Sequence, residues 1–263
     1  MRFRGGKPLV YGDPFQTGGG TAAWYPSALT PALWLDASSS GTVTLNSGNV
    51  SSWASKAGTG GPFANAIGGQ QPAYVASGDA DFAAGTVTPA GSQFLTATSY
   101  PGLAQATIAF PFRQVTRGSN YYIIHHVGSL NANGSLYIGL FSGQNVLTVR
   151  WLNGGGATQC TGSTSFADGT GKRYVVITLD LSQTGSAQIP AIYVDDVAET
   201  LSFSSTTATS GTATANSASL FADGSGNYPA TCKLPELIVV DRVISGSERA
   251  ALHAYAQTQW GTP

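Results

Sequence analysis

Lys233-Leu-Pro-Glu236-Leu-Ile-Val-Val240-Asp-Arg-Val-Ile-Ser245-Gly-Ser-Glu248-Arg-Ala-Ala-Leu252-His-Ala-Tyr255-Ala-Gln-Thr-Gln-Trp260-Gly261 is the stretch whose reading decides the fold. Leu237, Ile238, Val239 and Val240 form an unbroken apolar, mostly β-branched run, the pattern of a strand buried on both faces. Ser245 and Glu248 stand at capping-box spacing, and Leu252, Tyr255 and Ala256 fall on one face at helical period. Gly261 can take a left-handed cap, and Pro263 cannot continue a helix. The reading is a strand followed by one amphipathic helix, which must lie on the β core as a lid.

Upstream, the chain carries short strands at regular spacing. They are expected at 33–36, 50–53, 73–75, 93–96, 107–115, 121–127, 135–141, 146–152, 174–181, 188–194, 198–203, 218–221 and 234–241. Turn chemistry separates them, at Asn131-Ala-Asn-Gly134, Ser142-Gly143, Asn153-Gly-Gly-Gly156, Asp168-Gly169 and Asp223-Gly-Ser-Gly-Asn227. Asp195-Asp196 reads as a two-residue hairpin turn in which Asp196 must accept positive φ. Pro111 implies an edge strand or a bulge in its segment, and the Ser/Thr/Ala/Gly tract from Ser204 to Ala215 implies an exposed loop. Many short strands with almost no helix give an all-β sandwich or barrel.

Three blocks carry a resemblance. The first is the closing stretch, Glu236 to Ser245 and then Trp260-Gly261. The second is Leu33-Trp34-Leu35-Asp36-Ala37, Gly48-Asn49-Val50-Ser51-Ser52-Trp53, Lys56, Gly58 and Gln71-Pro72-Ala73-Tyr74. The third is Gly91-Ser-Gln-Phe-Leu95. In order and spacing, from about Pro31 to Gly261, they resemble the concanavalin-A-like (laminin-G-like) lectin/glucanase domains of bacteria and their phages. The resemblance implies a jelly-roll β-sandwich over residues 31–263 with one C-terminal helix, preceded by an extended arm over residues 1–30. It implies little about activity, because this fold hosts enzymes, lectins and inert spacers.

Composition narrows the function classes. Only 10% of the 263 residues are charged and the net charge is −1, against a nucleic-acid partner or an anionic membrane surface. With 42% hydrophobic residues a core is within reach, and no apolar run is long enough for a membrane helix. Met1-Arg-Phe-Arg-Gly-Gly-Lys7 leads into no apolar signal core, whereas the Thr/Ser/Gly-rich composition looks extracellular. A phage structural protein, made in the cytoplasm and released by lysis, reconciles the two. A bacterial extracellular adhesin or carbohydrate-binding module is the alternative. Residues 1–30 are glycine-rich yet carry Phe3, Tyr11, Phe15, Trp24 and Tyr25, which suits an arm that anchors its aromatics on a neighbouring protein or on the domain's own flank; as an assembly arm it would dock Phe3, Tyr11 and Phe15 on other virion proteins within an oligomeric assembly. Ordering each residue of such an arm costs about 1–2 kcal/mol, recovered only against a partner surface.

The chemistry of an enzyme is missing. Glycosidases need two carboxylates at a set separation. The chain has three glutamates, Glu199, Glu236 and Glu248, none with a partner at the strand spacing that the glucanase branch uses. No G-x-S-x-G elbow occurs. His125 and His126 are adjacent in a strand, so they face opposite ways, one packed and one exposed. Cys160 and Cys232 lack metal-site spacing and read as a disulfide or as two free, buried thiols, with the thiols favoured. No cofactor or metal is expected, the Asp223–Asn227 segment reading as a Gly-rich turn rather than a calcium loop. A glycan site pairs an aromatic with Asn, Asp or Gln. Trp151 with Asn153, and Tyr228 with Asn227 and Asp223, are the pairs of that kind, and host-surface glycan is the ligand expected.

Overall fold

The computed structural model describes residues 25–77, 79–115, 121–141, 145–166, 171–213 and 217–263. Phe3, Tyr11 and Phe15 of the expected arm lie outside the described residues. In chain order the strands are β1 (Leu33–Asp36), β2 (Val43–Asn46), β3 (Asn49–Trp53), β4 (Phe63–Ala64), β5 (Ala73–Ser77), β6 (Ala84–Thr88) and β7 (Leu95–Ala97). Next come β8 (Gln105–Gln114), β9 (Tyr121–Val127), β10 (Ser135–Phe141), β11 (Val146–Asn153), β12 (Gly156–Ser165) and β13 (Arg173–Asp180). The chain closes with β14 (Ala191–Val194), β15 (Val197–Ala198), β16 (Ser202–Thr206), β17 (Ala218–Leu220), β18 (Cys232–Lys233), β19 (Glu236–Val240) and helix α1 (Gly246–Trp260).

They form two antiparallel sheets packed as a sandwich. The smaller runs β1-β19-β8-β13-β14-β15, with β18 also on β8. The larger runs β16-β12-β11-β10-β9-β17-β7-β4-β3-β5-β6, with β2 on β3. Alternation along each strand decides what meets in the middle. From the smaller sheet Leu33, Leu35, Ile108, Phe110, Val175, Ile177, Leu237 and Val239 enter the central core. The larger sheet answers with Trp53, Ile124, Leu136, Ile138, Val149, Trp151 and Leu220.

The outer face of the smaller sheet has a core of its own. Trp34, Ala109, Tyr174, Val176, Ile238 and Val240 pack with Leu252, Tyr255, Ala256 and Trp260 of α1. This is why the β19 run is apolar without alternation: Leu237 and Val239 serve the sandwich, Ile238 and Val240 the helix. The helix starts as its spacing requires. Ser245 accepts from the Glu248 N–H, the Glu248 carboxylate accepts from the Ser245 N–H, and Gly261 ends the helix at φ 60°.

A carboxylate sits inside this second core. Glu236 is fully buried and its carboxylate accepts from the Trp34 indole at 2.7 Å, the Tyr255 hydroxyl at 2.8 Å and the Trp260 indole at 2.8 Å. Burial, and then the nearby charge of Asp36, push its carboxyl up to about 7.

Several expectations change. Pro111 is not on an edge: β8 is central, Pro111 faces Tyr174 of β13, and on the other flank it lies between the β19 pairing at Thr107–Ala109 and the β18 pairing at Arg113–Gln114. The Ser204–Ala215 tract is not all loop, since β16 runs to Thr206 on the larger sheet. The stretch from Gln188 begins as the end of a 3₁₀ turn, with strand only from Ala191. The packed unit reaches back past residue 30: Pro26 and Leu29 are buried, and Tyr25 meets Tyr255 edge-on at 6.4 Å. In the Asp195-Asp196 turn both residues take positive φ, 52° and 62°. Aspartates suit it because each side chain is tied down, Asp195 to Arg173 and the Tyr174 N–H, Asp196 to Arg249 of α1. Cys160 and Cys232 are buried and unbonded.

Glu236→Gln would set an amide N–H₂ against indole or hydroxyl donors, and should lower unfolding stability by about 1–3 kcal/mol in urea titrations. The pH dependence carries a sign. Between about 4.5 and about 7 native Glu236 holds a proton that the unfolded chain has lost, so its contribution falls as pH rises, by at most about 1.4 kcal/mol per pH unit. His125 and His126, both lowered to about 4, act in the opposite sense below about 6.5. The stability difference between wild type and Glu236→Gln should therefore shrink from pH 4.5 to 7, and a pH-independent difference would contradict the assignment.

Candidate functional site

The Asp223–Tyr228 loop is built around one carboxylate. Asp223 is buried at the end of β17, and its oxygens accept from the Ser225 N–H at 2.9 Å, the Asn227 N–H at 2.8 Å and the Asn227 side chain at 3.0 Å. The backbone closes the loop from Asp223 N–H to the Asn227 carbonyl and from Gly226 N–H to the Asp223 carbonyl. Tyr228 follows at φ 57°, and its carbonyl accepts from Ile123 N–H on β9 at 3.0 Å. The residue is 41% exposed. The structure thus brings Asp223, Asn227 and Tyr228 together, with Asp223 spent on shaping the loop and the Tyr228 ring presented to solvent.

Trp151 and Asn153 are placed elsewhere and do a different job. Trp151 is 2% exposed, within the central core, and its indole N–H reaches the Thr209 carbonyl at 3.4 Å. It therefore has no open face for a sugar, because on β11 it alternates with Arg150 and so points inward. Asn153 donates to the Ser210 carbonyl at 2.7 Å and holds the segment after β16 against the β11–β12 turn. That turn stands at the end of the sheet where Leu152 faces Ser135 and Val127 faces Leu136, whereas Tyr228 lies at Ile123, towards the opposite end of β9.

The two histidines do face opposite ways, but both are buried. His125 faces the core, with Nε2 2.8 Å from the Tyr100 hydroxyl and Nδ1 3.2 Å from the Ser219 carbonyl. His126 is on the outer face, stacked on Tyr137 with centroids 4.6 Å apart. Burial holds both imidazoles down at about 4, the Ser219 carbonyl opposing it at His125 and Asp223 at His126.

His126 belongs to a row of facing residues that crosses the larger sheet. Thr96, Ser219, His126, Tyr137, Arg150, Gln159 and Ser205 are successive partners on β7, β17, β9, β10, β11, β12 and β16. All are polar, and they share the face turned away from the core. Sequence reasoning singled out only the histidine. The signal was there in the alternation of Leu136-Tyr-Ile-Gly-Leu140 and Leu147-Thr-Val-Arg-Trp151, whose apolar members are the inward set.

The glutamates are committed to structure. Glu199 accepts from the Ser163 and Thr164 N–H groups and hydroxyls, Glu236 sits in its cage, and Glu248 caps α1 while pairing with Arg242. Among the described residues no three His, Cys, Asp or Glu side chains cluster as a metal site.

No family model matches the sequence. Neither does any curated protein. Solved structures do. The binding domain of Paraclostridial Mosquitocidal Protein 1 aligns at a TM-score of 0.59 and 15% identity, over 89% of this chain and 56% of that one. The botulinum neurotoxin serotype G binding domain aligns at 0.54 and 12%, over 89% and 54%. The Trypanosoma rangeli sialidase in complex with 2,3-difluorosialic acid aligns at 0.56 and 14%, over 97% and 37%. The chain thus spans little more than half of the toxin domains and under two fifths of the sialidase.

Trp151→Ala should lower stability by about 3–5 kcal/mol, whereas Tyr228→Ala should leave it within about 0.5 kcal/mol, both read by denaturant unfolding. Equal costs would mean that Tyr228 is a packing residue. What the chain shares with these structures is the fold, a lectin-like, concanavalin-A-like jelly-roll β-sandwich.

Proposed function

We propose that this chain is a non-enzymatic, lectin-like binding module of a bacteriophage particle, which takes host-surface glycan on the Asp223–Tyr228 loop and docks on other virion proteins through residues 1–30. The observation that carries the glycan reading is the exposed Tyr228 ring on a loop braced by Asp223 and Asn227. Sugars offer an apolar face and a rim of hydroxyls, and an aromatic face beside a fixed amide matches both. Binding domains of two toxins share the fold, which adds support without naming a ligand. The non-enzymatic reading is supported by the three glutamates, each engaged in hydrogen bonds that hold the fold. The virion reading is supported by the low charge and by the aromatic-punctuated glycine-rich segment ahead of the sandwich. A bacterial extracellular adhesin would use the same loop on a different carrier.

A glycan array should give hits that Tyr228→Ala weakens at least tenfold, while a polysaccharide panel shows no hydrolysis. Deleting residues 1–24 should abolish incorporation into particles and leave array binding unchanged. Hydrolysis that Glu236→Gln abolishes in a still-folded protein would overturn the non-enzymatic reading. Array binding untouched by Tyr228→Ala would remove the loop from the site.

A further inference from the structure

We propose that the outer face of the larger sheet carries an anion subsite, formed by Arg150 and Gln159 beside Tyr137, for the carboxylate or sulfate of an acidic saccharide. The proposal rests on the glycan-binding reading and deepens it. It begins with an anomaly of pairing. Arg113, Arg173, Arg242 and Arg249 each bond a carboxylate. Arg150 bonds none among the described residues. Its Nη1 reaches the Asn131 side-chain oxygen only at 3.5 Å, the long limit of a hydrogen bond. Its Nε is buried with no acceptor among the described residues, as is that of Arg173, but Arg173 also has a carboxylate partner. Buried donors are rarely left so, and an unfilled one marks a place for a water, an ion or a ligand group.

A second orphan lies in the same row. His126 is 2% exposed and its Nε2 has no partner among the described residues. Tyr137 stands between the two, stacked on His126 and 5.9 Å from the Arg150 guanidinium. The Tyr137 hydroxyl accepts from the Asn131 N–H, which fixes the ring. Gln159 faces Arg150 directly across the β11–β12 ladder, and its amide has no side-chain partner among the described residues. Arg150 and Gln159 are both partly exposed.

The chemistry follows from the geometry. A guanidinium offers a planar fork that matches a carboxylate or a sulfate with two parallel hydrogen bonds, and the amide beside it can donate to a ring hydroxyl. His126 stays neutral at pH 7, its imidazole held down at about 4 by burial, so Arg150 supplies the charge of the row. The β9 strand that anchors Tyr228 lies two strands from β11, about 10 Å across the sheet. Tyr228 is bonded at Ile123, three residues along β9 from the His126 that shares the Arg150 row, so the two contacts are offset by about a further 10 Å along the strands and only an oligosaccharide of several units would span both.

The test titrates the full chain by NMR with glucuronate, galactose 6-sulfate and glucose. Sodium acetate and sodium sulfate at matched ionic strength serve as controls, and the titrations are repeated with Arg150→Gln and Arg150→Lys. The expected result is at least tenfold tighter binding of an acidic sugar than of glucose, lost in Arg150→Gln and weakened in Arg150→Lys, with unfolding midpoints unchanged. Glucuronate or the sulfated sugar prevailing tells which anion is read. Glucose binding as tightly as the acidic sugars, with Arg150→Gln silent, would overturn the subsite and leave the glycan reading standing. Acetate or sulfate binding as tightly as the sugars would reduce it to an adventitious anion site. No saccharide binding, acidic or neutral, would overturn both readings.

Discussion

Three donors from distant parts of the chain converge on the Glu236 carboxylate: Trp34 on the first strand of the sandwich, and Tyr255 and Trp260 on the closing helix. An ionisable group in an apolar layer costs several kcal/mol unless it is fully hydrogen-bonded, and removing one partner leaves that cost uncompensated. The pairing of β1 with β19 sets Asp36 opposite Glu236, and Asp36 holds Lys56 at 2.8 Å while Lys56 lies over the Trp34 ring at 4.1 Å. The cage therefore fixes the register of β1, the seat of α1 and the position of the loop that bears Lys56. Substituting any one donor should disturb all three.

This division of labour leaves the outer face of the larger sheet without a covering helix among the described residues. The helix covers the outer face of the smaller sheet, whose residues there are apolar apart from a few buried polar groups such as the caged Glu236. The outer face of the larger sheet is polar across its width, from Thr96 to Ser205, and carries an arginine without a carboxylate partner among the described residues. The Tyr228 loop leaves the same sheet at the end of β17 and returns along β9, so both candidate contacts belong to one sheet.

Where local chemistry and tertiary environment agreed, the fold was legible. Leu33–Asp36, Tyr121–Val127 and Ser135–Phe141 are strands with the bounds their patterns predict, and the capping box and Gly261 frame α1 as expected. The ten-residue β12 was missed. Gly156-Ala-Thr-Gln-Cys-Thr-Gly-Ser-Thr-Ser165 has, Gln159 apart, small side chains on both faces, so no apolar alternation marks it, and its neighbours β11 and β16 impose the strand. Trp151 was misread for a related reason. An aromatic close to a turn looks presentable in sequence, but its parity on β11 turns it into the core. Arg150 has the opposite parity, and no local signal says that a surface arginine will lack a partner, since pairing is a property of the assembled sheet.

Native-state hydrogen exchange is the most direct test of the Glu236 cage. The account predicts that amides of Leu33–Asp36, Leu237–Val240 and Leu252–Trp260 open together, with one free energy and one denaturant dependence, and that Glu236→Ala separates the helix from the strands. A wild-type helix that exchanges at markedly lower free energy than β1 and β19 would contradict it.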